Sequence, residues 1–135
     1  LGLLPVVSSM PKDNHSLMQL YLDGPNKYFY TFFNVLENRN VKIKNDSVLN
    51  THKFLKNLSI EKIKQSQMIA TEKVFISKKI PFRSFRILKR NEQSLGELFC
   101  FFILETILLG RALNVNPFDQ PSVELIKIET KKILS

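Results

Sequence analysis

Residue types used for cross-linking and metal binding are scarce in this chain of 135 residues. Its one cysteine, Cys100, excludes an internal disulfide, and the apolar neighbours in Leu98–Phe102 predict a buried, unreactive thiol. The two histidines, His15 and His52, lie far apart in sequence. Because no cysteine–histidine cluster accompanies them, no metal site is predicted.

Long uninterrupted apolar runs are also lacking. The run from Leu95 to Leu109 contains Glu97 and Glu105, and it is too short to span a bilayer comfortably. No basic segment opens the chain, so no signal peptide is predicted. These absences predict a reduced, soluble, cytoplasmic protein. The chain starts with Leu1, inside an apolar segment, and we therefore expect further residues upstream.

Basic residues, by contrast, are abundant. The chain has 20 Lys and Arg against 12 Asp and Glu, a net charge of +8. Such an excess suits nucleic acids, membrane surfaces or phosphorylated metabolites. The basic residues are mostly lysines dispersed along the chain, so a nucleic-acid-binding domain is the weakest alternative. The length and the 44% hydrophobic share predict one globular domain at most, long enough for a core, with a piece of a larger fold as the alternative at this size.

Strand-like and helix-like segments alternate along the chain, which predicts an α/β layered fold. Predicted strands are a short buried one at Leu3–Ser8, an aromatic one at Tyr28–Leu36 and a third at Phe82–Leu88, with Val41–Ile43 as a candidate edge strand in a polar loop over Asn38–His52. Predicted helices are His15–Asp23 capped by Asp13 or Asn14, Ser59 to about Val74, Glu92 to about Leu113 capped by Asn91, and a last one after the Pro117–Pro121 turn. The third helix is apolar nearly all round, which predicts a central position in the core.

The last helix carries a polar stripe. Its members fall at i, i+4, i+7 and i+11 and therefore share one side of the helix: Gln120, Glu124, Lys127 and Lys131. Backbone N–H groups and the helix dipole at the start of this helix suit an anionic ligand. The alternative, favoured by periodicity alone, is a solvated face of an amphipathic helix.

Two residues are candidates for proton transfer and charge stabilisation. His15 is predicted at the start of a helix, where an imidazole at a pocket rim could pass protons. Its alternative is a capping or surface histidine. Lys127 could neutralise an oxyanion or hold a phosphate, whereas an exposed helix lysine is the commoner case. His52, in a loop with no orienting partner evident from the sequence, is interpreted as solvated.

Two segments resemble one known family. The segment Phe118–Lys127, with Gly110, Ala112 and Leu113 ahead of it, resembles the C-terminal signature of the phosphoglucose isomerase (glucose-6-phosphate isomerase) family. The segment Asp13–Pro25 resembles the family's histidine segment in its shorter bacterial form. The order of the two segments matches, and the resemblance covers essentially the whole chain. Ser122 departs from the pattern, since the family usually has Gly or Ala there.

The resemblance implies a fold and a reaction. The fold would be an incomplete three-layer α/β lobe of the sugar-isomerase (SIS) type over residues 1–113, with the signature turn and a C-terminal helical arm over 114–135 of the same domain. The reaction would interconvert glucose 6-phosphate and fructose 6-phosphate through a cis-enediol(ate). It needs neither a metal nor an organic cofactor.

The resemblance also implies roles for single residues. His15 matches the histidine that assists opening of the sugar ring, and Lys127 the lysine near the ring oxygen. Gln120 matches a glutamine at the sugar-phosphate site, while Glu124 would orient the lysine or its helix. Family members are homodimers in which the histidine is contributed across the subunit interface, so His15 would complete a partner's site.

Two parts of the family's site have no counterpart here. The glutamate that moves the proton between C1 and C2 lies upstream of the histidine segment in the family, as does the phosphate-binding loop. Asp13 and Asp23 are near His15 but sit in the wrong motif. We therefore expect the chain to be a C-terminal part of the isomerase, inactive alone. The alternative is a non-catalytic sugar-phosphate-binding module of the same α/β type.

Overall fold

The computed structural model of the chain describes residues 4–25, 27–36, 41–44 and 48–135. The chain divides into two compact units, residues 1–90 and 91–135. The boundary predicted between residues 113 and 114, which separates lobe from arm, stays a prediction.

The first unit contains a parallel pair of strands joined through a helix. Its regular elements in chain order are α1 (Leu17–Asp23), β1 (Tyr30–Val35), α2 (Ile60–Ser77) and β2 (Phe82–Ile87), with short 3-10 helices at Lys12–Asn14 and Asn50–Leu55. In the parallel register, Tyr30 lies opposite Phe82 and Val35 opposite Ile87. A parallel pair needs such a crossover, so the predicted α/β class is confirmed.

Aromatic side chains from one face of the sheet form the core of this unit. Phe75 of α2 is fully buried. Its ring meets those of Tyr30 and Phe32 edge-on, at centroid distances of 5.0 and 5.1 Å. Met18 of α1 and Ile80 complete the buried cluster. The aromatic and β-branched composition that predicted β1 therefore supplies the packing that holds α2 on the sheet.

The helix caps follow the sequence prediction at two of three sites. Ser59 Oγ accepts from the Lys62 N–H at 3.1 Å, and Asn91 Oδ1 accepts from the Ser94 N–H at 2.9 Å. The predicted caps of the first helix, Asp13 and Asn14, are wrong. Asp13 instead lies in the 3-10 helix Lys12–Asn14 and accepts from the Ser9 N–H at 2.6 Å, and α1 begins at Leu17.

The predicted strand at Leu3–Ser8 is wrong over its described residues. Residues 4–9 have no regular structure, and Leu4 and Val7 are 87% and 93% exposed. Leu3 lies outside the described residues. A strand needs a partner, and none of the described residues provides one. The candidate strand Val41–Ile43 is reduced to one antiparallel bridge, Lys42 with Ser59, while part of its loop, 38–40 and 45–47, lies outside the described residues.

The second unit contains two helices, α3 (Glu92–Ala112) and α4 (Pro121–Leu134), joined by a turn. Both helices occur where the sequence predicts them. The predicted central core position of α3 is wrong, because no residue of α3 is buried. Cys100 on α3 is exposed, which corrects the predicted buried thiol. A unit of this size has too little surface to enclose a helix that is apolar nearly all round. None of the described helices has the length and apolar composition that a membrane span needs.

Candidate functional site

The polar stripe begins where α4 begins. Pro121 occupies the first helical turn, where its fixed φ and missing N–H favour helix initiation. The Gln120 carbonyl accepts from the N–H groups of Val123 at 3.0 Å and Glu124 at 3.3 Å. The Gln120 side chain takes no part in capping the helix. This amide therefore stands at the N-terminus of α4 as the sequence predicts.

The structure brings two further members of the stripe together. Glu124 Oε1 accepts from Lys127 Nζ at 2.5 Å, with both side chains more than half exposed. An exposed ion pair contributes at most about 1 kcal/mol to stability. Its main effect is to restrict where the ammonium group can point. Lys131 lies one turn further along the same exposed helix.

Gly110 fixes the turn that leads to the stripe. A Cβ atom on Gly110 would lie 3.0 Å from both the Val115 carbonyl oxygen and Pro117 Cβ. The Val115 N–H donates to the Gly110 carbonyl at 2.8 Å, and Asn114 has a positive φ of 54°. The missing side chain of Gly110 thus lets the chain fold back against the end of α3. From sequence, Gly110 could be matched to a signature but not assigned this contact.

The candidate histidine belongs to the first unit. His15 is exposed and ends the 3-10 helix Lys12–Asn14, two residues before α1 starts. Its predicted place near a helix start is thus close to the observed one. His52 is also exposed, and its Nδ1 lies 2.9 Å from Thr51 Oγ1, a partner that the sequence did not indicate.

An open cleft of about 370 Å³ in the first unit escaped the sequence analysis. Four consecutive residues of β1, Phe32–Val35, line one side of it. The other lining residues come from residues 10–14, from α2 and from the segment after β2: Met10, Pro11, Asn14, Glu61, Lys64, Gln67, Met68, Thr71 and Arg90. Asn14 Oδ1 is buried and has no hydrogen-bond partner within the described residues. Sequence periodicity gave no signal for the cleft, because its walls come from distant segments.

A side-chain network joins α2 to the end of β1. Asn34 Nδ2 donates to Gln65 Oε1 at 2.8 Å. Gln65 Nε2 in turn donates to Glu61 Oε1 at 3.0 Å and to the Val35 carbonyl at 3.4 Å. The amide of Gln65 therefore occupies one backbone acceptor on the side of β1 that faces away from β2.

The pKa values of the Asp23 carboxyl and the Tyr30 hydroxyl are shifted. A hydrogen bond and the charge of Lys78, 2.6 Å away, lower the pKa of the Asp23 carboxyl. Burial raises the pKa of the Tyr30 hydroxyl. Among the described residues, no group of three His, Cys, Asp or Glu side chains could hold a metal ion.

Comparison with known proteins finds glucose-6-phosphate isomerases among the relatives of this chain, although no family model matches it. "Probable glucose-6-phosphate isomerase" of Methanococcus maripaludis is 34% identical over 126 residues, 91% of this chain and 27% of the relative. Glucose-6-phosphate isomerase of Campylobacter jejuni is 30% identical over 139 aligned positions, 100% of this chain and 34% of the relative. Glucose-6-phosphate isomerase of Methanocaldococcus jannaschii is 31% identical over 132 aligned positions, which cover 98% of this chain and 31% of the relative. The chain thus spans 27–34% of the length of these curated relatives.

Proposed function

We propose that this chain, which belongs to the glucose-6-phosphate isomerase family, forms part of an enzyme that interconverts glucose 6-phosphate and fructose 6-phosphate in the cytoplasm. The observation that carries the proposal is similarity along 91–100% of the chain to relatives with that name. Because the chain spans 27–34% of their length, the rest of a complete site must come from residues outside it.

Within the proposed enzyme, two residues of this chain act on the sugar. His15 moves a proton between the ring oxygen and the anomeric hydroxyl, which opens the ring. Lys127 lies near the ring oxygen and the first carbon hydroxyls, where an ammonium group stabilises negative charge developing on oxygen. His15 is exposed and so can reach a ligand or a partner subunit.

Two further residues bind or position. Glu124 holds the Lys127 ammonium, and the contact between these groups supports a positioning role for the carboxylate. Gln120 binds the sugar phosphate, which is supported by its place at a helix N-terminus and by a side chain not used for capping.

The proposed assembly extends beyond this chain. The parallel pair β1–β2 is part of a three-layer SIS-type lobe, and α4 is its helical arm. The proton-transferring glutamate and the phosphate loop belong to the part of the enzyme that the chain does not span. Isolated residues 1–135 are therefore expected to show no fructose 6-phosphate turnover. Measurable turnover by the purified chain would contradict this division of the site.

A chimera supplies the missing part. In it, this chain replaces the matching region of the Campylobacter jejuni relative, and isomerase activity is measured with fructose 6-phosphate. We expect Lys127→Ala to lower kcat by about 100-fold or more, as for loss of a charge-stabilising group. Lys131→Ala, on the same stripe, is the matched control and should change kcat less than about twofold. Equal losses in both variants would contradict the role of Lys127.

Mixing variants tests the proposed dimer. If His15 completes the partner's site, a mixed dimer of His15→Ala and Lys127→Ala chimeras has one intact site. Random exchange should then restore about a quarter of the unmutated activity, because half the dimers are mixed and each has one intact site of two. No recovery after confirmed subunit exchange would indicate sites built within one subunit.

The non-catalytic alternative gives a different result in the same assays. A sugar-phosphate-binding module would bind fructose 6-phosphate in calorimetry, with Lys127→Ala weakening binding, while the folded chimera showed no turnover. Turnover that depends on both His15 and Lys127 would reject the module.

A further inference from the structure

The backbone around the exposed His15 is tied at two points to the segment that precedes it. Before His15, Asp13 Oδ2 accepts from the Ser9 N–H at 2.6 Å, and the Asp13 N–H donates to the Ser9 carbonyl at 3.0 Å. After His15, the hydroxyl oxygen of Tyr21 in α1 lies 2.6 Å from Ser8 Oγ. Ser8 and Ser9 therefore hold the chain on both sides of the candidate histidine.

The two hydrogen bonds between Asp13 and Ser9 close a ring over residues 9–13. A carboxylate that accepts from an N–H group makes a charge-assisted hydrogen bond, which is roughly twice as strong as a neutral one. Such a ring reduces the number of backbone conformations open to an exposed loop. His15 lies two residues further along, at the end of the 3-10 helix that contains Asp13. The direction in which the His15 side chain leaves the backbone therefore depends on this ring.

α1 gives the other side of His15 a fixed support. Met18, three residues after His15, is buried in the cluster that contains Phe75. The ring of Tyr21 packs on that of Tyr30 at a centroid distance of 5.3 Å. Because α1 is held to the core in this way, the conformation of the segment before His15 decides where the imidazole stands.

Proton transfer depends strongly on such placement. A general acid or base must lie within about 2.6–3.2 Å of the atom it serves, and a displacement of about 1 Å can lower the rate about 100-fold. We propose that Asp13 is a positioning residue for His15, whose carboxylate holds, through the Ser9 N–H, the backbone that presents the imidazole to the sugar. In this role Asp13 acts through His15 and not on the sugar itself. The proposal rests on the proposed function and adds a residue to the part of the site that opens the ring.

Kinetics of the Campylobacter jejuni chimera test this role. Asp13→Ala removes the acceptor, and kcat with fructose 6-phosphate should fall by about tenfold or more. KM should change by less than about threefold, because other residues bind the sugar phosphate. Asp13→Asn keeps an acceptor oxygen and should have a kcat within about threefold of the unmutated chimera. Equal losses in the two variants would overturn the proposal, because the acceptor would then make no difference.

A double variant separates an effect through His15 from a direct effect of Asp13. General acid–base catalysis contributes about 10²–10⁴-fold, so the His15→Ala chimera should retain slow turnover that is measurable at high enzyme concentration. Adding Asp13→Ala to His15→Ala should lower kcat by less than about a further twofold, because the residue through which Asp13 acts is already gone. A further tenfold loss would overturn the proposal.

Asp23→Ala is the matched control at the other end of α1. The Asp23 carboxylate lies 2.6 Å from Lys78 Nζ, so this variant also breaks a polar link of the same segment. We expect it to lower the thermal midpoint about as much as Asp13→Ala does and to keep kcat within about twofold of the unmutated chimera. An equal loss of kcat in both variants would mean that general loosening of α1 is responsible, and the proposal would be wrong.

Amide hydrogen exchange tests the hydrogen bond itself in the full 135-residue chain. Asp13→Ala should speed exchange of the Ser9 amide by about fivefold or more, while the Phe32 amide in β1 keeps its rate because the core stays folded. An unchanged rate at Ser9 would show that the carboxylate does not hold this N–H, and it would overturn the proposal whatever the kinetics.

The outcomes separate this proposal from the enzymatic one. An active chimera in which Asp13→Ala keeps kcat within about twofold supports the proposed activity and overturns the role of Asp13. A folded chimera without turnover, before any substitution is made, contradicts the proposed activity and every catalytic role that rests on it.

Discussion

At the scale of single residues, Gly110 shows how a missing side chain positions a candidate site. The carbonyl of Val115 and the ring of Pro117 occupy the space that a Cβ would need. This contact sets the path of the turn toward Gln120, which begins α4. At Gly96, on the same helix, an added Cβ would meet no heavy atom within 4 Å outside the helix's own backbone. Alanine substitution is therefore expected to change stability in opposite directions at Gly110 and Gly96.

We expect Gly110→Ala to destabilise the chain by about 1–3 kcal/mol through overpacking of the turn, less the gain in helix propensity. Gly96→Ala should stabilise it by about 0.5–1 kcal/mol, because α3 gains propensity without a clash. Urea unfolding followed by circular dichroism measures both. A stabilised Gly110→Ala would show that the turn relaxes freely.

The ion pair between Lys78 and Asp23 links stability to pH. Since the pKa of Asp23 in the folded chain lies below its usual 3.8, the pair's contribution is present above that pH and lost as pH falls through the folded pKa. We expect Lys78→Gln to reduce the acid-side fall in thermal midpoint. The control Lys73→Gln, on exposed α2 surface, should keep the wild-type fall. Identical pH profiles for both variants would show that the pair contributes nothing.

The residues of the stripe were predictable and those of the cleft were not. Gln120, Glu124 and Lys127 lie within one helix, where the period of 3.6 residues places them on one side. Asn34 and Gln65 meet across 31 positions of sequence, and Asn14 reaches the same cleft from another segment. Which distant segments meet depends on the packing of Phe75, and periodicity within one element cannot specify it.

At the scale of elements, helix starts were predicted best where a side chain caps them. Ser59 and Asn91 both accept a backbone N–H three positions ahead. Ser16 occupies the same position at α1 but makes no capping bond. The first helix is also the one whose start was misplaced.

Removing the hydroxyl groups of Ser59 and Ser16 should therefore lower the stability of the chain by unequal amounts. Ser59→Ala is expected to cost about 1 kcal/mol, because the N-terminus of α2 loses a partner. Ser16→Ala, the matched control, should change the free energy of unfolding by less than about 0.5 kcal/mol. Chemical denaturation measures the difference. Equal costs would mean that Ser59 acts through something other than its cap.

Strands were predictable where they had partners within the chain. The strands Tyr30–Val35 and Phe82–Ile87 pair with each other, and the side chains of Tyr30, Phe32 and Phe82 pack against the cluster around Phe75 of α2. The apolar Leu3–Ser8 carries a similar local signal, yet its side chains Leu4, Val6 and Val7 stay exposed. Local composition reports a tendency to be buried, and burial also requires a neighbour.

At the scale of the whole molecule, the apolar surface of α3 is the main difference from a self-contained globular domain. No residue of α3 is buried, and Phe99 and Leu108 are more than 60% exposed. The sequence predicted a core helix, which agrees with the apolar composition but not with this burial. The chain spans 27–34% of the length of its relatives, so most of the polypeptide of each relative has no counterpart in it.

The reactivity of Cys100 measures how exposed the apolar surface of α3 is. In the isolated chain we expect a thiol reagent such as DTNB to label exposed Cys100 within about threefold of the rate in unfolded chain. In the Campylobacter jejuni chimera, with its own cysteines replaced, labelling should slow by about tenfold or more as the helix is covered. Slow labelling of the isolated, monomeric chain would contradict the exposure of Cys100.

The parallel pairing of β1 with β2 also has a consequence for biosynthesis. Each residue of β1 pairs with one 52 positions later. At about 5–20 residues per second, a ribosome needs roughly 3–10 s to deliver the second strand after the first. During that interval the aromatic side chains of β1 lack β2, the strand with which they pair in this chain. Early protection of the nascent chain is therefore most valuable between the synthesis of Val35 and that of Ile87.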